Sequence, residues 1–302
     1  MSTAPRRGRR VGRIVGAALT LAVVVTAMVV WLVQRPAAQQ QEPAAASFPD
    51  PGLVHVHGLG VDPADGVLYA ATHMGLFRLP DSQTGQPVRV ADRWQDTMAF
   101  TVVGPSQFLA SGHPDLREDK PVLLGLIESG DAGQTWQPLS LEGRSDFHAL
   151  QPAGQTLYGY DSTAERLLST QDRRRWEDRA KLALDALAVD PTNPQALLAA
   201  TPQGQLRRST DGGRSFSPVP GAPRLTALAW PPSGPVFGTS RDGKLLASQN
   251  RGRTWQTIGK LDGAVDALSA TDARTVHAAT ATGIYSSTDG GATFTLRYRT
   301  TP

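Results

Sequence analysis

The chain has 302 residues, no cysteine, and 30 lysines and arginines against 27 aspartates and glutamates, for a net charge of +3. Without cysteine there is neither a disulfide framework nor a thiolate metal site. Six of the basic residues (Arg6, Arg7, Arg9, Arg10, Arg13 and Arg35) precede residue 53, so the excess charge belongs to an N-terminal flank and argues against a nucleic-acid partner.

Residues 1–13 form that basic flank. From Ile14 to Val33 no charge occurs over about 20 residues rich in Ala, Val and Leu, the length that spans a bilayer core as a helix. Arginines before the span and almost none after it place the flank in the cytoplasm, and Trp31 suits the far interface. A cleaved signal peptide is the competing reading, with Ala44-Ala45-Ala46 as a cleavage site, but its apolar core is usually shorter. The expectation is therefore a single-pass anchor over 14–33 in the cell membrane. Residues 34–52, rich in Pro, Ala and Gln, read as a flexible tether. The rest, 53–302, lies outside the cytoplasm.

That remainder is repetitive. Ser129-Gly130-Asp131-Ala132-Gly133-Gln134-Thr135-Trp136 recurs as Ser209 to Phe216, Ser248 to Trp255 and Ser287 to Phe294, with the pattern Ser-x-Asp/Asn-x-Gly-x-Thr/Ser-aromatic. Ser169 to Trp176 is a worn fifth copy that keeps the first and last residues. The closing aromatics fall roughly 40 residues apart, the period of four-stranded propeller blades. Asp131, Asp211, Asn250 and Asp289 are structural: each carboxylate or amide accepts hydrogen bonds from nearby backbone N–H groups, and the glycine supplies positive φ. Short apolar strands open six repeats, from His57 to Val61, Met98 to Val102, His148 to Leu150, Asp185 to Val189, Thr226 to Ala229 and Asp266 to Leu268. A second strand follows each. The expectation is an all-β, six-bladed β-propeller behind one transmembrane helix.

In these octapeptides the chain resembles the Asp-box (bacterial neuraminidase repeat) propellers, which include sialidases, sortilin-like receptors and photosystem assembly factors. That resemblance implies a box on an outer hairpin with no catalytic role. His55-Val56-His57-Gly58-Leu59-Gly60, Ala71-Thr72-His73-Met74, Ser111-Gly112-His113-Pro114 and Asp146-Phe147-His148-Ala149 are similar to a family of exported bacterial Asp-box propellers labelled glycosyl hydrolases. Phe77-Arg78-Leu79-Pro80 looks like the sialidase Phe/Tyr-Arg-Ile-Pro hallmark. It falls on a third strand whose lane leads outward, so Arg78 is not expected to reach the channel.

A propeller places equivalent blade positions around its channel. The heads of the opening strands read His57, Met98, His148, Asp185, Thr226 and Asp266; the ends of the second strands read His73, His113, Asp161, Pro202, Arg241 and Ala281. Four of the six histidines occupy these positions in the first three repeats. Imidazoles with a thioether suit copper, and a histidine set with a carboxylate suits zinc. The expected metal site is His57, His73, Met98, His113 and His148, with His55 assigned to ordinary packing. The readings that compete are a small-molecule, glycan or protein ligand at the mouth, a glycoside hydrolase using Asp161, Asp185 and Asp266, and a pure interaction scaffold. The charged excursion Pro114 to Pro121 adjoins His113 and is a candidate lid.

Overall fold

The computed structural model describes residues 50–80 and 85–300. They form six antiparallel four-stranded sheets, each built from one contiguous stretch of chain. The blades run Val56 to Arg89, Asp96 to Ser140, Phe147 to Lys181, Ala186 to Pro218, Ala227 to Lys260 and Val265 to Tyr298. The expected membrane span over 14–33 lies outside the described residues. Among the described residues no helix is long and apolar enough to cross a membrane.

The gradient of residue types across a blade explains the architecture. Second strands such as Leu68–Thr72, Leu197–Ala200 and Val276–Thr280 are buried along their whole length, because sheets pack on both faces. Fourth strands such as Gln137–Ser140 and Glu177–Lys181 are polar and more exposed, which blunts the outer edge against further strand pairing. Between the blades, large apolar side chains interdigitate. Phe108 of blade two lies 5.0 Å from Tyr69 of blade one in an edge-on contact, and within blades Phe100 meets Phe108 at 5.3 Å and Phe147 meets Trp176 at 4.8 Å.

The recurring octapeptide joins the third and fourth strands of its blade. Ser129 Oγ donates to Asp131 Oδ1 at 2.8 Å and accepts from Gly133 N at 2.8 Å, while Thr135 donates through N and Oγ1 to the same carboxylate at 2.9 and 2.7 Å. The same pattern holds Asp211 and Asp289, and Asn250 differs only in that its Nδ2 donates to Thr254 Oγ1 at 2.8 Å. The backbone bond thus comes from four residues on. Gly213 has φ +78°, and a Cβ there would stand 2.6 Å from Leu167 of the preceding blade. The glycine therefore serves both the turn and the seam between blades. The worn copy keeps its capping in a shorter form: Thr170 replaces the serine, and Asp172 accepts from the backbone of Arg174 and Arg175.

The ring closes without strand exchange. The tail strand, Thr295–Tyr298, is simply the fourth strand of blade six. Leu53 joins Val56, Leu59 and Phe77 of blade one in a core shared with Ala267, Ala279 and Ile284 of blade six. Arg297 adds one bond across this seam, donating through Nη2 to the Pro80 carbonyl at 2.9 Å.

Candidate functional site

Blade one brings three imidazoles together. His57 heads the innermost strand, and His55 stands two residues before it with φ +47° at the entry to that strand. His73 follows the second strand in a tight turn held by Thr72 Oγ1, which accepts from Met74 N and donates to the Gly75 carbonyl. Antiparallel pairing of the two strands puts the turn beside the strand head. The ring centroids are 4.4 Å apart for His57 and His73, 4.7 Å for His55 and His57, and 4.8 Å for the stacked pair His55 and His73. One nitrogen from each ring lies within 4.8 Å of the others.

Blade two orients this group. Asp96, the first residue of the strand Asp96–Gly104 and two before Met98, accepts from His73 Nδ1 at 2.9 Å, and its carboxylate lies 3.8 Å from His57 Nε2. His73 Nδ1 is shared, lying 2.9 Å from Asp96 Oδ1 and 3.2 Å from His57 Nε2, so the carboxylate orients the ring in the way carboxylates commonly set a metal-binding imidazole. The His57 side chain is only 12 % exposed, and burial, followed by its neighbours His73, His55 and His148, lowers its pKa to about 3. His57 is therefore neutral and able to ligate near neutral pH.

The other expected ligands are placed differently. His148 lines the channel but its Nε2 is engaged by Asp146 Oδ2 at 2.9 Å. Burial opposes the Asp146 charge, yet the bond from His148 and the nearby His148 and His113 hold its carboxyl below the usual range. Asp146 Oδ1 is buried with no hydrogen-bond partner. His113 donates through Nδ1 to the Val122 carbonyl at 2.9 Å. Met98 lies at a β-bulge between Thr97 and Ala99 and is not among the residues lining the channel. The loop after His113 is tied to the connection between blades one and two. Asp115 accepts from Trp94 N and from Arg117, and Arg93 pairs with Glu118.

The channel encloses a cavity of about 360 Å³. His57, His148, Asp185, Thr226 and Asp266 line the end where the innermost strands begin, which we call the mouth, and Trp230 and Pro232 line the other. Burial raises the pKa of Asp266, an effect partly offset by His55. Asp161, expected as a catalytic candidate, is buried, accepts from Ala164 N at 3.2 Å and does not line the cavity. Its strand-end position turns it into a loop cap. Arg78 donates to Asp65 at 3.1 Å on the surface, away from the channel lining as expected.

The comparisons with known proteins bear on the scaffold. A GH74 enzyme of Niastella koreensis superposes with a TM-score of 0.53 at 18% identity over 78% of this chain, and a GH74 xyloglucanase of Xanthomonas campestris with 0.51 at 21% over 81%. The chain spans only 36% and 45% of those enzymes. YCF48, solved with a bound D1 peptide, gives 0.51 at 15% identity and matches 82% of this chain and 83% of its own. No family model and no curated protein sequence matches the chain. The likeness is one of fold.

Sequence reasoning passed over His55, Asp96 and Asp146. A signal for all three was present: each stands two residues before an opening-strand head, His57, Met98 or His148. Reading that upstream register alongside the heads would have found them.

Proposed function

We propose that this protein is a membrane-tethered, extracytoplasmic β-propeller that binds a metal ion at its channel mouth. The observation that carries the reading is the convergence of His55, His57 and His73 with Asp96 behind them. Three imidazoles suit zinc or copper, and three protein ligands leave a coordination position for water or an exogenous ligand. The neighbouring cavity, lined by His57 and His148, gives such a ligand room. The test is metal content of the purified full-length protein after equilibration with zinc or copper, compared with His57→Gln/His73→Gln. One ion per chain in the wild type and none in the variant supports the site; no ion in either sinks it.

Glycoside hydrolysis is the second reading. Asp185 and Asp266 share the cavity, and the raised pKa of Asp266 suits a general acid. A glycoside screen that includes xyloglucan, the substrate class named for one structural neighbour, tests it. Turnover abolished by Asp266→Asn supports it, and turnover unaffected by that change excludes Asp266 as the acid.

A further inference from the structure

The blade positions that gather three imidazoles in blade one recur in every blade. They are the residue two before the innermost-strand head, the head itself, and the end of the second strand. In blade one they are His55, His57 and His73; in blade five they are Arg224, Thr226 and Arg241. The blade-five residues also converge. Together with Gln203 and Gly204 they line a separate pocket of about 240 Å³, and Thr226 is common to this pocket and the central channel.

Neither guanidinium is neutralised by a carboxylate among the described residues. Arg224 donates through Nη1 to the Gln203 carbonyl at 2.5 Å, which fixes the group and leaves its other donors unused. Arg241 has no hydrogen-bond or ion-pair partner among the described residues. The adjacent carboxylate, Asp242, is held by Ser240 Oγ at 2.6 Å and Lys244 Nζ at 2.9 Å. The pocket floor depends on Gly204: at φ +76° it lets the chain pass close to Arg224, where a Cβ would stand 3.1 Å from the Arg224 Cβ. The exposed walls of the pocket are almost entirely carbon, contributed by these same five residues.

From this arrangement we propose that blade five carries a second ligand site, specific for a small organic acid. Its carboxylate bridges Arg224 and Arg241, and its carbon skeleton occupies the pocket beside Thr226. Paired guanidinium groups match a carboxylate through charge-assisted, forked hydrogen bonds, and the carbon-lined floor discriminates against a bare inorganic anion. The site requires no metal at the mouth and stands or falls separately from that reading.

The experiment is a calorimetric titration of the metal-stripped full-length protein with benzoate, repeated with Arg241→Gln, Arg241→Lys and His57→Gln. Loss of one charge-assisted fork is expected to weaken benzoate binding by about tenfold or more in Arg241→Gln. Arg241→Lys keeps the charge without the fork and is expected to fall between the two, while His57→Gln binds as the wild type. Inorganic phosphate is expected to compete at least about tenfold more weakly than benzoate if the apolar floor contributes. The proposal is overturned if no saturable benzoate binding occurs, if Arg241→Gln binds as well as the wild type, if His57→Gln alone abolishes binding, or if phosphate competes equally.

Discussion

Acidification from pH 7 to pH 5 is expected to destabilise the propeller through two histidines. Burial, then neighbouring imidazoles, lowers the His57 pKa to about 3; burial, then Arg297, lowers that of His277 to about 4. His277 bonds Ser286 Oγ through Nδ1 at 2.8 Å, and its Nε2 is buried without a partner. In the unfolded chain both groups take up a proton near pH 6.5, while the folded protein resists protonation. Their contribution to stability is therefore complete above that pH and is lost as pH falls toward the folded pKa values, about 2 kcal/mol for each histidine by pH 5. For a domain of this size, the pair corresponds to a fall in Tm on the order of 10 °C. Asp131, Asp211 and Asp289, whose pKa values are lowered by their turn hydrogen bonds, contribute the same sign only at pH below the usual carboxylate value of 3.8. Asp266, with its pKa raised, acts in the opposite direction, gaining stability as pH falls through its folded value toward 3.8. Differential scanning calorimetry of metal-stripped wild type, His57→Gln, His277→Gln and the double variant at both pH values measures the effect. Each single variant is expected to lose about half of the pH dependence. A wild-type Tm equal at the two pH values, or a double variant as acid-sensitive as the wild type, would refute the reasoning.

Zinc or copper at saturating concentration is expected to raise the wild-type Tm at pH 7 but not that of His57→Gln/His73→Gln, since a ligand binding only the folded state stabilises it by mass action. Asp96→Asn is expected to weaken metal affinity about 10-fold to 100-fold by releasing the His73 ring, measured by competition with a chelating dye. Gly213→Ala forces a Cβ against Leu167 at a left-handed backbone position and is expected to cost about 2 kcal/mol or more in urea unfolding. Arg297→Ala removes the donor to Pro80 and is expected to raise amide exchange in blades one and six above that in blades three and four.

The repeat spacing made the propeller legible because one local problem, reversing a third strand into a fourth, is solved with the same residues four times over. Blade number and most strand positions followed from that phase. Ring closure was not legible: Leu53 and the strand from Thr295 to Tyr298 have similar apolar patterns, and only their pairing distinguishes a core residue from an edge strand. The site was half legible. Periodicity identified His57 and His73, but a register argument treats all blades alike and so grouped His113 and Met98 with them. Among the described His, Asp and Glu side chains, those that converge are His55, His57 and His73, while His113 bonds the Val122 carbonyl. His55 was discounted because strand alternation gives direction and not the left-handed turn that brings its ring onto His73.

Since no strand is shared between the first blade and the last, every blade boundary is equivalent as a place to cut the chain. A circular permutant that begins at Gly263, just before blade six, and joins the end of blade six to blade one through a short linker would keep all six sheets intact. In that arrangement the seam held by Arg297 and Pro80 becomes an ordinary covalently bridged junction, and the new ends fall between blades five and six. The histidine cluster, confined to blade one and braced by Asp96 of blade two, would pass from the first blade to the second without losing a member.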